Sequence, residues 1–178
     1  MKRLLPRVWF RERTPRLAAG QAAVEFALIA GLMLVLVCMV IDFCRAIHDE
    51  QLMSNLSREG SNLASRGTTL SDSVAAVIGG SSSLDLADSG EVIITSVTNI
   101  NYVYTITDQF SEGQSSQSSR VGTGVGTSAT MPASAASALQ LGQTLYVTEI
   151  FYSYQPITPI QNLVKILMPS TLYQVAYF

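Results

Sequence analysis

Sixteen consecutive residues without a charge, FALIAGLMLVLVCMVI at 26–41, constrain this chain more than any other feature. With residues 21–24 the run reaches about twenty residues, which at 1.5 Å rise cover the ~30 Å hydrocarbon core of a bilayer. A cleaved secretory signal would need a shorter apolar region of about 7–15 residues followed by a small-residue cleavage site. The run ends instead in IDFCRAIHDEQ, and neither VLV before Cys38 nor IDF before Cys44 has the small residues of a lipoprotein site. The reading is an uncleaved membrane helix. Against it stands one carboxylate, Glu25, set directly before the run in RLAAGQAAVEFALIAG.

Helical spacing continues past the apolar run. Asp49, Leu52, Met53, Leu56, Gly60, Leu63, Ala64 and Gly67 fall on one face, and Glu50, Ser54, Arg58, Ser61 and Ser65 on the other. One helix is therefore expected from about residue 21 to 66, apolar all round in its first half and amphipathic in its second. Gly67 is its expected C-terminal stop.

Charge is distributed unevenly along the chain. Residues 1–19 carry six basic side chains against Glu12 alone, a net of +5, whereas everything from Gly20 onward carries five basic and twelve acidic residues. A short positive tail is no face of a folded domain, which argues against a nucleic-acid partner. Beside a membrane helix it holds its end of the chain in the cytoplasm.

Downstream, Ser71 or Ser73 could cap a short helix that ends at Gly79-Gly80. EVIITSVT (91–98), NYVYTITD (101–108), LYVTEIFYSYQP (145–156) and TLYQVAYF (171–178) read as strands, with NIN either a turn or a bulge. The stretch SEGQSSQSSRVGTGVGTSAT reads as a flexible linker, and a helical turn or two is expected between Pro159 and Pro169. The fold class is α+β: a long N-terminal helix, membrane-spanning in its first half and amphipathic in its second, packed against a small antiparallel β-sheet. Its expected parts are a basic cytoplasmic leader (1–20), a transmembrane helix (21–43), the amphipathic continuation (44–67) and an extracytoplasmic α+β domain (68–178) with a flexible Ser/Gly loop (111–130).

Catalytic chemistry finds no support. His48 is the lone histidine, too few nitrogen or sulfur ligands accompany it for a metal, and the carboxylates are scattered singly. Cys38 and Cys44 lie six residues apart on one helix and point about 240° away from each other, so they do not pair within the chain. No enzyme, cofactor or metal is expected. Glu25 remains. At the centre of a membrane helix a carboxylate costs roughly 2.5–3.5 kcal/mol, and less towards an end. Either it sits among headgroups at the positive helix N-terminus, or it awaits a positive charge on a neighbouring chain.

Gly20 followed by QAAVE resembles the prepilin peptidase site of type IV pilin-like proteins. Residues 20–67 more widely resemble the TadE-like family of the tight-adherence (Tad/Flp) pilus systems, in AAVEFAL, IDFCR and SREGSNLA, and LYVTEIFYSYQPITPI is similar to a C-terminal strand-then-Pro segment of that family. The matching stretches cover about a third of the chain. They depart from the family pattern at Gly31, where proline is common, and at Cys44, where glycine is usual. Phe26 stands where major Flp pilins carry tyrosine, and those pilins are far shorter.

The resemblance implies a minor pilin or pseudopilin that helps initiate, cap or assemble an adhesive pilus. It implies cleavage by a prepilin peptidase between Gly20 and Gln21, and a docking role for Glu25 against an α-ammonium, its own or a neighbour's. The implied partners are other pilin and pseudopilin subunits, inner-membrane assembly proteins and the lipid bilayer. The implied location is the bacterial inner membrane, single pass, N-terminus cytoplasmic, or the pilus itself. The alternative keeps the topology and drops the assembly: an uncleaved bitopic anchor presenting a small extracytoplasmic binding domain.

Overall fold

The computed structural model describes residues 16–178 apart from Ser82, with side chains from Gly20 onward; most of the basic leader therefore lies outside the described residues. Helix α1 (Arg16–Ser65) runs unbroken for 50 residues, about 75 Å. It stops where the sequence predicts. Gly67 takes φ +90°, and the Gly67 N–H reaches the Ala64 carbonyl at 3.1 Å while the Thr68 N–H reaches Leu63 at 3.3 Å. These two bonds satisfy carbonyls that the last turn would leave bare, and only glycine adopts that left-handed conformation without cost.

Helix α2 (Leu70–Gly80) follows at once. Its cap is Thr69, not Ser71 or Ser73: the Thr69 hydroxyl accepts from the Asp72 N–H at 3.1 Å. Leu70 is buried in the core, and Ser73 is itself buried on the packed face. Then come α3 (Leu86–Ser89), β1 (Gly90–Ile100), β2 (Val103–Gly113), α4 (Ala133–Ala138), β3 (Thr144–Ser153), α5 (Gln161–Leu167) and β4 (Thr171–Tyr177). The four strands form one sheet in the order β2-β1-β3-β4, antiparallel throughout. Of the NIN segment only Asn101 turns: Asn99 and Ile100 stay in β1, paired with Tyr104 and Val103, and the turn is Asn101-Tyr102, both with positive φ, as a two-residue hairpin of the twist-matched kind requires.

Alternation along the strands divides the sheet into two faces. Val92, Ile94, Ile150, Tyr152 and Leu172 join Met53, Leu56, Ala64, Val74 and Val77 of α1 and α2 in the main core. On the opposite face Val97, Ile106 and Val147 pack with Val121, Ala129 and Leu139. The Ser/Gly stretch, which composition reads as flexible linker, thus lies against the sheet. Its first residues, 111–113, belong to β2. Beyond them Ser119 and the Arg120 N–H both donate to Glu149, a fully buried carboxylate on β3. The Arg120 guanidinium lies 3.9 Å from the Tyr173 ring centroid, and the Gln109 amide donates to the Gly122 carbonyl at 2.9 Å. Low intrinsic propensity did not prevent order, because tertiary hydrogen bonds supply what the local sequence lacks.

The helical spacing erred at Ser61. It is buried rather than solvent-facing, and its hydroxyl lies 2.9 Å from Thr148 Oγ1 and 3.1 Å from the Ala176 carbonyl. Gly60 beside it lets α1 lie close on the sheet: a Cβ there would come within 2.8 Å of Val77 Cγ2 and 3.0 Å of Thr148 Oγ1. The buried members of the SREGSNLA patch, Ser57, Gly60, Ser61 and Ala64, are all small, and they let the helix come near enough for a serine to bond across to the sheet.

Candidate functional site

The two halves of α1 meet at Asp42. Every residue from Gly20 to Leu34 is exposed, and the most apolar window of the helix has none of its residues covered by the rest of the chain. Asp42 by contrast is fully buried. The segment after β3 covers it. The Ile157 N–H donates to Asp42 Oδ1 at 3.1 Å, the Thr158 hydroxyl donates to Oδ2, and the Tyr154 hydroxyl donates to the Asp42 carbonyl at 2.7 Å. The sequence explains why this segment can do it. Prolines at 156 and 159 bias Gln155 and Thr158 towards extended backbone, which carries the chain along the helix rather than away from it. Burial, and then the Asp42 charge, push the Tyr154 phenol above its usual range, so it remains a donor. The acid of IDFCR and the YQPIT that follows β3 are one structural unit, a clasp between segments more than a hundred residues apart.

Two turns on, Asp49 is also buried, 4 % exposed. Its Oδ2 has no hydrogen-bond partner, and the Arg45 Nε stands 4.0 Å away. Burial raises the Asp49 carboxyl above its usual range, with the positive charges of Arg45 and His48 opposing. Around Asp42, Met39, Val40 and Phe43 of α1 face Val164 and Leu167 of α5, and Met168 just after it, across an open apolar groove of about 290 Å³.

The residues singled out by the resemblance lie at the other end of the apolar run. Glu25 is exposed, and its one described partner is Gln21, whose amide donates at 2.9 Å. A Cβ on Gly20 would touch nothing within 4 Å. The bond between Gly20 and Gln21 lies inside α1, and nothing in the described chain brings Gly20, Gln21 or Glu25 near the folded domain. Glu25 and Asp42 are seventeen residues apart, about 26 Å along the axis, and thus bracket the apolar stretch. One carboxylate is satisfied by its own chain. The other is left to the surroundings.

Among the described residues no three of His, Cys, Asp or Glu stand close enough to hold a metal ion, and both cysteines are free. The buried Glu149 accepts from the Tyr173 hydroxyl at 2.9 Å as well as from Ser119 and Arg120, an arrangement that fastens the 114–132 cover to the sheet. The Asp42 clasp and the Glu149 fastening both escaped the sequence reading. A signal for the clasp existed, since both its parts stand out as motifs, but nothing in sequence alone paired them.

Residues 20–62 match the family model described as TadE-like protein. No curated protein and no solved structure matches the chain. The matched segment opens at Gly20, takes in Glu25, the apolar run and Asp42, and closes just beyond the Gly60-Ser61 contact. The match covers 43 of the 178 residues and makes this stretch of α1 similar to TadE-like proteins.

Proposed function

We propose that this TadE-like chain is a minor pilin or pseudopilin that assists assembly or initiation of a Tad-type adhesive pilus. The observation that carries the reading is that the family match takes in the whole helix half that the chain leaves uncovered, as well as the first turns that the domain covers. That surface needs an external partner. Lipid serves before assembly, and the helices of neighbouring subunits serve within it. In this reading the arginine-rich leader stays in the cytoplasm, the folded domain lies outside, and a prepilin peptidase cuts between Gly20 and Gln21. The new α-ammonium of Gln21, or that of a neighbour, then pairs with Glu25 where low dielectric makes pairing matter most. The clasp at Asp42 keeps the second carboxylate from competing for that ammonium.

The test is the mass of the mature N-terminus in cells that make the cognate peptidase. The expected chain begins QAAVEF, and Gly20→Glu blocks the cut while insertion persists. A protein that keeps its leader while the peptidase processes other pilins would overturn the reading. It would favour instead an uncleaved bitopic anchor presenting the domain as a binding module. One observation favours that second reading: the bond to be cut lies within continuous helix and must unwind before a peptidase can reach it.

A further inference from the structure

The groove between α1 and α5 bears on how the domain sits at the membrane. Val164 of α5 and Met168 just after it face Met39 and Val40, at the end of the apolar run, and Phe43 just beyond it. Beside that inner stripe lies an outer one, Leu163 and Ile166, with Leu167 at the edge of the groove; the three are spaced three and four residues apart and so share one side of the helix. Ile166 is 79 % exposed and Leu167 67 %, and Ile157 in the clasp is 60 % exposed. Three large apolar side chains bared this far within eleven residues are unusual for a soluble surface.

What should cover them follows from their position. They are continuous with the exposed face of α1, at the level where that helix leaves the hydrocarbon. The residues after Glu149 contain no carboxylate side chain and one cation, Lys165, which is exposed on α5. Arg45, 40 % exposed, stands a turn above Asp42 on α1. The acids nearest this level, Asp42 and Asp49, are buried, and Arg45 stands 4.0 Å from Asp49; exposed apolar side chains with Lys165 among them suit acyl chains below and phosphates above.

We propose that α5 and Ile157 form a second membrane contact, in which Ile157, Leu163, Ile166 and Leu167 enter the acyl-chain boundary of the leaflet where α1 emerges. The contact lays the domain against the bilayer. The Asp42 clasp sets its depth, because Thr158 and the Ile157 N–H bind the carboxylate at that boundary and carry α5 with them. The proposal rests on α1 crossing a membrane. It does not depend on leader cleavage or on the pilus role.

The test uses the full chain in nanodiscs holding one copy each. The sequence has one tryptophan, Trp9, which is first changed to phenylalanine. Ile166→Trp or Ile157→Trp then reports the contact, and Tyr102→Trp, at the 82 % exposed hairpin turn on the far end of the sheet, serves as reference. Interfacial helices bury their apolar face about 5–10 Å deep, so phospholipids brominated high on the acyl chain should quench the indole of either reporting variant about twofold and leave the reference unquenched. Failure to enter discs would refute the membrane crossing itself. Entry without quenching in either reporting variant overturns the proposal. Emission shifted to the blue but quenched by no lipid, or shifted only in discs with two chains, would assign the stripe to a second copy of the chain and overturn it equally.

Discussion

Truncation of the clasp acid, Asp42→Ala, offers the sharpest test of how the domain is joined to the helix. The substitution strips two acceptors from the segment after β3, leaving the Ile157 N–H and the Thr158 hydroxyl unpaired beside a buried site. Hydrogen bonds to a charged group contribute about 1.5–3 kcal/mol each, so the pair amounts to about 3–6 kcal/mol. Asp42 is completely buried, and removing it also relieves the cost of desolvating a carboxylate, which offsets part of that loss. A net destabilisation of about 2–4 kcal/mol is expected. Asp42→Asn keeps the acceptor for Ile157 and lets the Thr158 hydroxyl turn to accept, so it should cost only about 1 kcal/mol. The assay is denaturant unfolding of the full chain in detergent, followed by the near-ultraviolet signal of its tyrosines. Thr158→Val completes a double-mutant cycle with Asp42→Ala, and the coupling should reach about 1–3 kcal/mol. Additive effects of the two changes, or an Asn variant as damaged as the Ala variant, would refute the clasp.

Other outcomes follow from the same geometry. Gly60→Ala gains about 0.8–1 kcal/mol of helix propensity, but its Cβ would meet Val77 Cγ2 at 2.8 Å. Overpacking of about 1–3 kcal/mol should win, so thermal unfolding moves down and Gly60→Val moves it further. Asp49 has a folded-state pKa raised above the ordinary 3.8. Folding therefore favours its proton, and stability falls as pH climbs from 3.8 through the raised value and is level above it. Asp49→Asn should flatten that slope in unfolding measured across the same window, and an unchanged slope would show that the carboxyl is not the titrating group. Glu25→Gln should leave expression and membrane insertion intact while co-purification with other pilus components and pilus output fall; Glu25→Ala should insert at least as well and assemble no better. Normal assembly by both would leave Glu25 a helix-end charge contributing ~0.3–1 kcal/mol.

Several features were determined by the sequence alone, for reasons confined to short stretches of chain. Charge-free length marked the helix that can cross a membrane. The 3.6-residue period carried that helix onward, and a glycine with positive φ stopped it at the expected residue. Runs of β-branched and aromatic residues placed all four strands. Glu25 was conspicuous because a carboxylate beside an apolar run has only the Gln21 amide, one turn back, as a local partner.

The tertiary structure decided the rest. Nothing near Asp42 in the sequence announces that Tyr154, Ile157 and Thr158 will shelter it, because those groups arrive only when β3 lies along α1 in one register. Ser61 has the composition of a solvent-facing residue and is buried, since Gly60 lets the helix approach until a serine can bond across to Thr148. The Ser/Gly stretch has the local character of a linker and yet covers a sheet face, held through Glu149 by contacts between segments far apart in the chain. Dihedral preference and periodicity act between covalent neighbours and are written locally. Burial of a polar group depends on which distant segment supplies its partner, and only the packed chain settles that choice.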